Sequence, residues 1–158
     1  MVGDVGVCEL RFSDVLTAHI GSVVHSAQFS ADGRQILSAS DNNTVRIWSA
    51  VTGECEQTMM GHIGAVSSVR FSPDVQKIVS ASGRPISDTD TTVRIWSAVT
   101  GECEQTMKGH SSQLNSAAFS VDGRQIVSAS QDRTVRVWDA AMGEGRRRGV
   151  FRWPTKDD

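Results

Sequence analysis

His110, Ser128 and Asp132 are the three side-chain types that form the catalytic triad of serine hydrolases. In that chemistry the histidine takes the proton of a serine nucleophile, and the carboxylate orients the imidazole. A closely similar order of residue types, however, occurs three times in the 158-residue chain, each time followed by a tryptophan. A catalytic site normally occurs once, so the recurrence favours a structural role and directs attention to the repeat that contains it.

One segment of the chain occurs twice without a change. TVRIWSAVTGECEQTM occupies residues 44–59 and again residues 92–107. A period of this length is typical of repeat proteins. Conservation of the fold would keep Val, Ile, Trp and Gly, but it would not also keep Glu54 and Glu56. The identity therefore indicates a recent duplication within the gene.

Short stretches with the strand pattern fill each repeat. VVHSAQF, QILSAS and TVRIW are rich in β-branched and aromatic residues and are bounded by turn residues. In TVRIW the period of two places Val45 and Ile47 on one face of a strand and Trp48 on the other. The next stretch, ECEQTM, suits an edge strand guarded by charge. Four strands in each repeat, without helical periodicity, predict an all-β meander.

The composition excludes several classes of function. With 16 Lys and Arg against 18 Asp and Glu, the net charge of −2 gives no reason to expect a nucleic-acid or anionic-membrane surface. No run of about 18 apolar residues is present, and MVGDVGVCELRF lacks the basic start and apolar core of a signal peptide. Three cysteines without a CxxC pair fit a reducing compartment and indicate no zinc site. We expect a cytoplasmic protein, with the nucleus as the alternative, and no metal or cofactor.

Taken together, these motifs resemble those of the WD40 repeat family. Each repeat has a Gly-His or Ala-His pair, a turn related to FSxDG, and a segment related to SxSxDxTVRxW, and the resemblance covers residues 17–143. In the family each repeat forms most of one four-stranded blade of a β-propeller. The resemblance implies an all-β fold of three four-stranded antiparallel blades in a partial propeller or open arc.

The resemblance also divides the chain into segments. They are an N-terminal strand segment at 1–16, repeats at 17–59, 60–107 and 108–143, an insertion at 83–89 within the second repeat, and a basic tail at 144–158. The basic side chains of the tail are partly balanced by acidic ones. An altered terminus is therefore favoured over nucleic-acid binding.

A structural role for the triad-like residues follows from the same resemblance. In WD40 proteins a His, a Ser or Thr, a turn Asp and the Trp form a buried hydrogen-bonded tetrad. A buried indole N–H needs an acceptor and a buried carboxylate needs donors, and such a set supplies both. Either serine of each Ser-Ala-Ser segment fits, since both have the same parity. The implied tetrads are His19, Ser38, Asn42 and Trp48; His62, Ser80, Asp90 and Trp96; and His110, Ser128, Asp132 and Trp138.

The first repeat departs from the pattern at Asn42, where the other repeats have aspartate. Asp41 stands beside it and is an alternative carboxylate after a local shift. Without a carboxylate, His19 loses a charge-assisted hydrogen bond. The first blade is therefore predicted to be the weakest. His25 is interpreted as a solvated or cross-strand residue rather than a ligand.

Function is expected in loops, where rigid scaffolds concentrate their binding residues. The insertion lies beside Asp90, on the face that the family uses to bind proteins, and Gly83 favours a defined turn. A tolerated insertion without a partner is the alternative. The candidate partner-binding residues are Arg84, Pro85, Ile86 and Asp88.

The sequence therefore predicts a non-catalytic scaffold that binds protein or peptide partners. The alternative is a fragment of a larger WD40 signalling or regulatory protein, acting as its sensor or autoinhibitory segment. Three blades are fewer than the roughly four to eight of known propellers, so two apolar blade faces would be exposed. A homodimer that completes a six-bladed ring, with VCELRF as an outer strand, is one solution. A piece of a longer array and a poorly stable open arc are the others.

Overall fold

The computed structural model describes residues 16, 18–84 and 90–141. Within these residues the chain forms eleven strands in three antiparallel sheets. This part of the chain contains no helix long and apolar enough to cross a membrane. The predicted all-β architecture is confirmed.

Each sheet is a meander in which consecutive strands pair. Blade one contains β1 (Val24–Phe29), β2 (Gln35–Ser40), β3 (Val45–Ser49) and β4 (Cys55–Met59). Blade two contains β5 (Ala65–Phe71), β6 (Lys77–Arg84), β7 (Val93–Ser97) and β8 (Cys103–Met107). Blade three contains β9 (Leu114–Phe119), β10 (Gln125–Ser130) and β11 (Val135–Asp139). A fourth strand after β11 would fall among residues 142–158, outside the described part, as does the VCELRF segment.

The alternation of side chains along β2 and β3 builds one apolar face of blade one. Leu37 lies opposite Ile47, and Ala39 lies opposite Val45. All four are at most 1% exposed. Because successive side chains point to opposite faces of a strand, the intervening serine and tryptophan positions lie on the other face.

The blades pack face to face in chain order. We call the face that each blade turns toward the next blade its forward face, and the opposite one its rear face. The first core joins the forward-face residues Leu37, Ala39, Val45, Ile47 and Met59 of blade one to the rear-face residues Val66, Val69, Phe71, Ile78 and Trp96 of blade two. The second core joins blades two and three in the same way. Each core therefore lies between two sheets.

The beginning of the insertion is a strand, and the turn that the sequence predicted at Gly83 is wrong. β6 pairs with β5 as far as Arg84 opposite Ala65, beyond the positions where β2 and β10 end. A Cβ atom on Gly83 would lie 1.9 Å from the carbonyl oxygen of Leu114, so the glycine lets β6 approach the backbone of blade three. The other candidate binding residues, Pro85, Ile86 and Asp88, lie outside the described residues.

Gly83→Ala is expected to lower the free energy of unfolding by about 2–3 kcal/mol, because the new methyl group overlaps backbone atoms that cannot rotate away. Gly33→Ala is the matched control. Gly33 has a left-handed φ of 70° but open space around it, so only strain of about 1–2 kcal/mol is added. Urea unfolding measures both. A Gly83→Ala protein as stable as the wild type would contradict the close approach.

Candidate functional site

Hydrogen bonds link the tryptophan, a serine and the histidine in every blade. In blade two, Trp96 Nε1 donates to Ser80 Oγ at 2.8 Å, and Ser80 Oγ lies 2.7 Å from His62 Nε2. The corresponding contacts in blades one and three all measure 2.8 Å. They join Trp48, Ser38 and His19, and Trp138, Ser128 and His110.

The first serine of each Ser-Ala-Ser segment takes part in this chain, which decides a choice that the sequence left open. In blades two and three the second serine donates to backbone carbonyl groups instead, whereas Ser40 of blade one accepts from the Asn42 N–H at 3.4 Å. Ser82 Oγ donates to the Ala65 carbonyl at 3.0 Å. Ser130 Oγ donates to the Ser112 and Gln113 carbonyls at 3.0 and 2.8 Å. In these two blades the second serine therefore joins the second strand to the chain at the start of the first strand.

In blades two and three the histidine also meets an aspartate. His62 Nδ1 lies 2.9 Å from Asp90 Oδ2, and the Ile63 N–H donates to the same oxygen at 2.8 Å. Asp90 Oδ1 accepts from the amide and the hydroxyl of Thr92 at 3.2 and 2.6 Å. Asp132 makes the same contacts with His110, Ser111 and Thr134, at 2.6–3.1 Å. Each carboxylate is thus held by four hydrogen bonds.

One arrangement of protons satisfies every bond of the tetrad with a neutral imidazole. The Trp96 indole donates to Ser80 Oγ, so the hydroxyl proton is free for His62 Nε2. The proton on His62 Nδ1 then goes to Asp90, which can only accept. We assign the tautomer from this network.

Burial and hydrogen bonding favour the same protonation states. Burial lowers the pKa of His62 and the charge of Arg94 adds to the effect, while Asp90 opposes it. Burial would raise the pKa of Asp90, but the hydrogen bonds from His62 and Thr92 outweigh it and hold that pKa well below its ordinary value. The pKa of Asp132 is lowered in the same way, against its burial. Blade two therefore stabilises a neutral His62 beside an ionised Asp90.

In blade one the chain of hydrogen bonds ends on the side-chain amide of Asn42 and not on a carboxylate. His19 Nδ1 lies 3.3 Å from the Thr44 hydroxyl, which donates to Asn42 Oδ1 at 2.6 Å. Among the described residues, no hydrogen bond joins the Ile20 N–H to Asn42, although the equivalent bond is present in both other blades. The contact that anchors the loop behind the histidine is therefore missing here.

Asp41 does not replace the missing carboxylate, so the alternative that the sequence offered is wrong. Its side chain pairs with His25 Nε2. That contact joins the β2–β3 turn to β1. His25 is therefore a cross-strand residue, and the Asp41 carboxylate binds it and not His19.

An arginine lies over each tetrad tryptophan. The guanidinium carbon of Arg94 is 5.9 Å from the ring centre of Trp96, within range of a cation–π interaction. A Cβ atom on Gly61, where φ is 147°, would lie 2.8 Å from Arg94 Nη1. Sequence reasoning missed this arginine and the threonine that bonds the carboxylate, although the recurring TVR before each tryptophan was a signal. The other members are Arg46 and Arg136, with Thr44, Thr92 and Thr134.

This arrangement stabilises the blade and is not accessible for catalysis. His62, Ser80 and Asp90 are all buried, at 5%, 0% and 7% exposure. Two open grooves of about 680 and 810 Å³ lie between neighbouring blades at the other end of the sheets, and no tetrad residue lines them. The described part of the chain contains no group of three or more His, Cys, Asp and Glu residues that could hold a metal ion.

Sheets of this kind, repeated along the chain and stacked face to face, define a protein of the β-propeller repeat class. A family model described as "WD domain, G-beta repeat" matches residues 10–49, 53–97 and 101–139. The chain belongs to the WD40 family. The second and third matches each join the outer strand of one blade to three strands of the next.

Curated relatives share short segments with this chain. F-box/WD repeat-containing protein 7 of Drosophila melanogaster is 46% identical over 59 residues, which are 37% of this chain and 4% of that protein. WD repeat-containing protein 37 of Homo sapiens is 42% identical over 45 residues, 28% of this chain and 9% of that protein. The probable E3 ubiquitin ligase complex SCF subunit sconB of Arthroderma otae is 44% identical over 46 residues, 29% of this chain and 7% of that protein. The matches therefore span less than a tenth of these relatives.

Asn42→Asp is expected to raise the free energy of unfolding by about 1 kcal/mol, because the new oxygen gives His19 and the Ile20 amide the acceptor that blade one lacks. Asp132→Asn, the reverse change in blade three, is expected to lower it by about 1–3 kcal/mol. Hydrogen exchange locates the effect. The amides of blade one are expected to be the least protected and to gain protection in Asn42→Asp. Blade one as the best protected blade would contradict this assignment.

Proposed function

We propose that the chain is a non-catalytic protein-interaction module of the cytoplasm or nucleus that binds protein or peptide partners at the tetrad end of its blades. The tetrad end comprises the loops that lead into β1, β5 and β9 and those that follow β2, β6 and β10. WD40 repeats and their WD-repeat relatives are generally scaffolds of this kind. The Arthroderma otae relative is named as a probable subunit of an E3 ubiquitin ligase complex, which supports a partner that is itself a protein.

The observation that carries the proposal is a set of large apolar side chains exposed at the tetrad end. Ile20, Met60 and Ile63 are 88%, 75% and 61% exposed. The backbone beside Ile63 is fixed, because its N–H donates to Asp90. The tetrad thus holds an apolar side chain in a defined position facing solvent, which lowers the entropy lost when a partner binds.

The two ends of the blades differ in how far the repeats resemble each other. At the opposite end, the turn between β3 and β4 is identical to the turn between β7 and β8, whereas the turns after β1, β5 and β9 differ, with the sequences SADG, SPDV and SVDG. At the tetrad end, Met60 corresponds to Lys108, and Ile63 corresponds to Ser111. A surface whose repeats differ can distinguish one partner from another, whereas identical turns present the same chemistry twice. This favours the tetrad end as the recognition surface.

In the sequence, residues 85–89 lie between β6 and β7. The contact of a partner with this connection stays a hypothesis within the proposal. Its candidate residues are Arg84, Pro85, Ile86 and Asp88.

Ile63→Glu is expected to abolish the capture of specific partners from extract of the source cells, because a charge replaces the exposed apolar contact. Val99→Glu is the matched control. Val99 is 69% exposed and lies at the opposite end, so the same change in charge should leave the partners unaltered. Affinity purification with quantitative mass spectrometry measures both. Partners that survive Ile63→Glu but are lost with Val99→Glu would place recognition at the other end and contradict the proposal.

A second candidate function is that of a segment within a larger WD40 signalling or regulatory protein, where the repeats act as a sensor or autoinhibitory element. The observation that favours it is the small share of each relative, at most 9% for those named above, that the matched segments represent. The binding experiment applies to this case unchanged, since a larger protein would present the same tetrad end.

A further inference from the structure

The rear face of blade one is open, although the same positions are buried in the other blades. Val24 is 43% exposed, whereas its counterpart Val66 in blade two is 0% exposed. Phe29 is 60% exposed, whereas Phe71 is 8% exposed. Because the residue types are the same, only the absence of a covering blade among the described residues accounts for the difference.

The forward face of blade three is open in the same sense. Val127 is 43% exposed, and its counterpart Val79 in blade two is fully buried. Val135 is 37% exposed, and its counterpart Val93 is fully buried. The described part of the chain therefore presents one rear face and one forward face to solvent.

These open faces match each other and do not match themselves. Both internal interfaces join a forward face to a rear face, and none joins two faces of one kind. The interface between blades two and three joins Val79, Ala81, Val93 and Ile95 to Leu114, Ala117, Phe119, Ile126 and Trp138. The open faces offer Val127, Ala129, Val135 and Val137 on one side and Val24, Ala27, Phe29, Ile36 and Trp48 on the other. At these positions the open pair differs from the buried one by two conservative apolar changes, Val137 for Ile95 and Val24 for Leu114. The buried interface also includes Met107 of β8, and its counterpart in blade three lies outside the described residues.

We propose that these faces bind a second copy of this chain, with the forward face of blade three in each copy packed on the rear face of blade one in the other. The contact is heterologous, and two such contacts close a pair of chains into a ring of six blades. Six blades lie within the range of about four to eight that propellers use. Closure removes both exposed apolar faces at once. The proposal is independent of which partner the tetrad end binds.

Light scattering on a sizing column tests the pairing of the full chain. The wild type is expected at twice the chain mass of 17.1 kDa over a wide concentration range. A forward variant, Val127→Glu with Val135→Glu, and a rear variant, Val24→Glu with Phe29→Glu, are each expected at the mass of one chain. Val121→Glu is the matched control, since Val121 is 96% exposed in the turn between β9 and β10 and should remain paired. Circular dichroism checks that every variant keeps its strands.

Mixing the two variants is the decisive step. Neither variant can pair with itself, but the intact forward face of the rear variant fits the intact rear face of the forward variant. An equimolar mixture is therefore expected to recover a two-chain species, with one contact and weaker affinity than the wild type. A wild type that is a monomer at every concentration overturns the proposal. So does one variant that still pairs alone, which indicates a contact between like faces, or a mass that keeps rising with concentration, which indicates an open chain of copies.

Discussion

The buried hydrogen-bond chain from tryptophan through serine to histidine is the constraint on which the rest of the structure depends. An unpaired polar group in a blade interior would cost about 1–3 kcal/mol, so the indole, hydroxyl and imidazole must meet. The hydrogen bond from the indole to the serine joins the third strand to the second, and the bond from the serine to the histidine holds the loop before the first strand. In blades two and three the carboxylate also accepts a hydrogen bond from the backbone N–H that follows the histidine. The exposed loops are held by atoms that are themselves buried.

Each blade pairs the buried polar groups of its tetrad within the blade, but it cannot bury its apolar faces alone. Stacking solves this only between neighbours, so stability is a sum of single blades and the interfaces between them. Val79 of blade two is fully buried, whereas the equivalent Val127 of blade three is 43% exposed. Among the described residues, each tetrad has a defined local structure, and apolar surface stays exposed on blades one and three. This is a reason for the chain to associate.

Alternation and recurrence in the sequence were sufficient to predict most of the strands, the order of the blades, and the histidine and tryptophan of each tetrad. It could not choose between Ser38 and Ser40, since both point to the same face and only the third dimension places one near the indole. The strand that continues through Gly83 was missed because a glycine required by the approach of a distant backbone has the same local signature as a turn. Asp41 was misjudged because its partner, His25, belongs to another strand. In each case the deciding atom lies far away along the chain.

In blade two the fold keeps a neutral His62 and an ionised Asp90 together in the blade interior. A lowered histidine pKa means that the folded chain takes up its proton only below the ordinary value of 6.5, so this contribution to stability is complete above that pH and is lost as the pH falls. A pH titration of the His62 side-chain nitrogens by NMR tests it most directly. The ring is expected to stay neutral, with its proton on Nδ1, at pH values below 6.5. A ring that takes up its proton at or above 6.5 would contradict it.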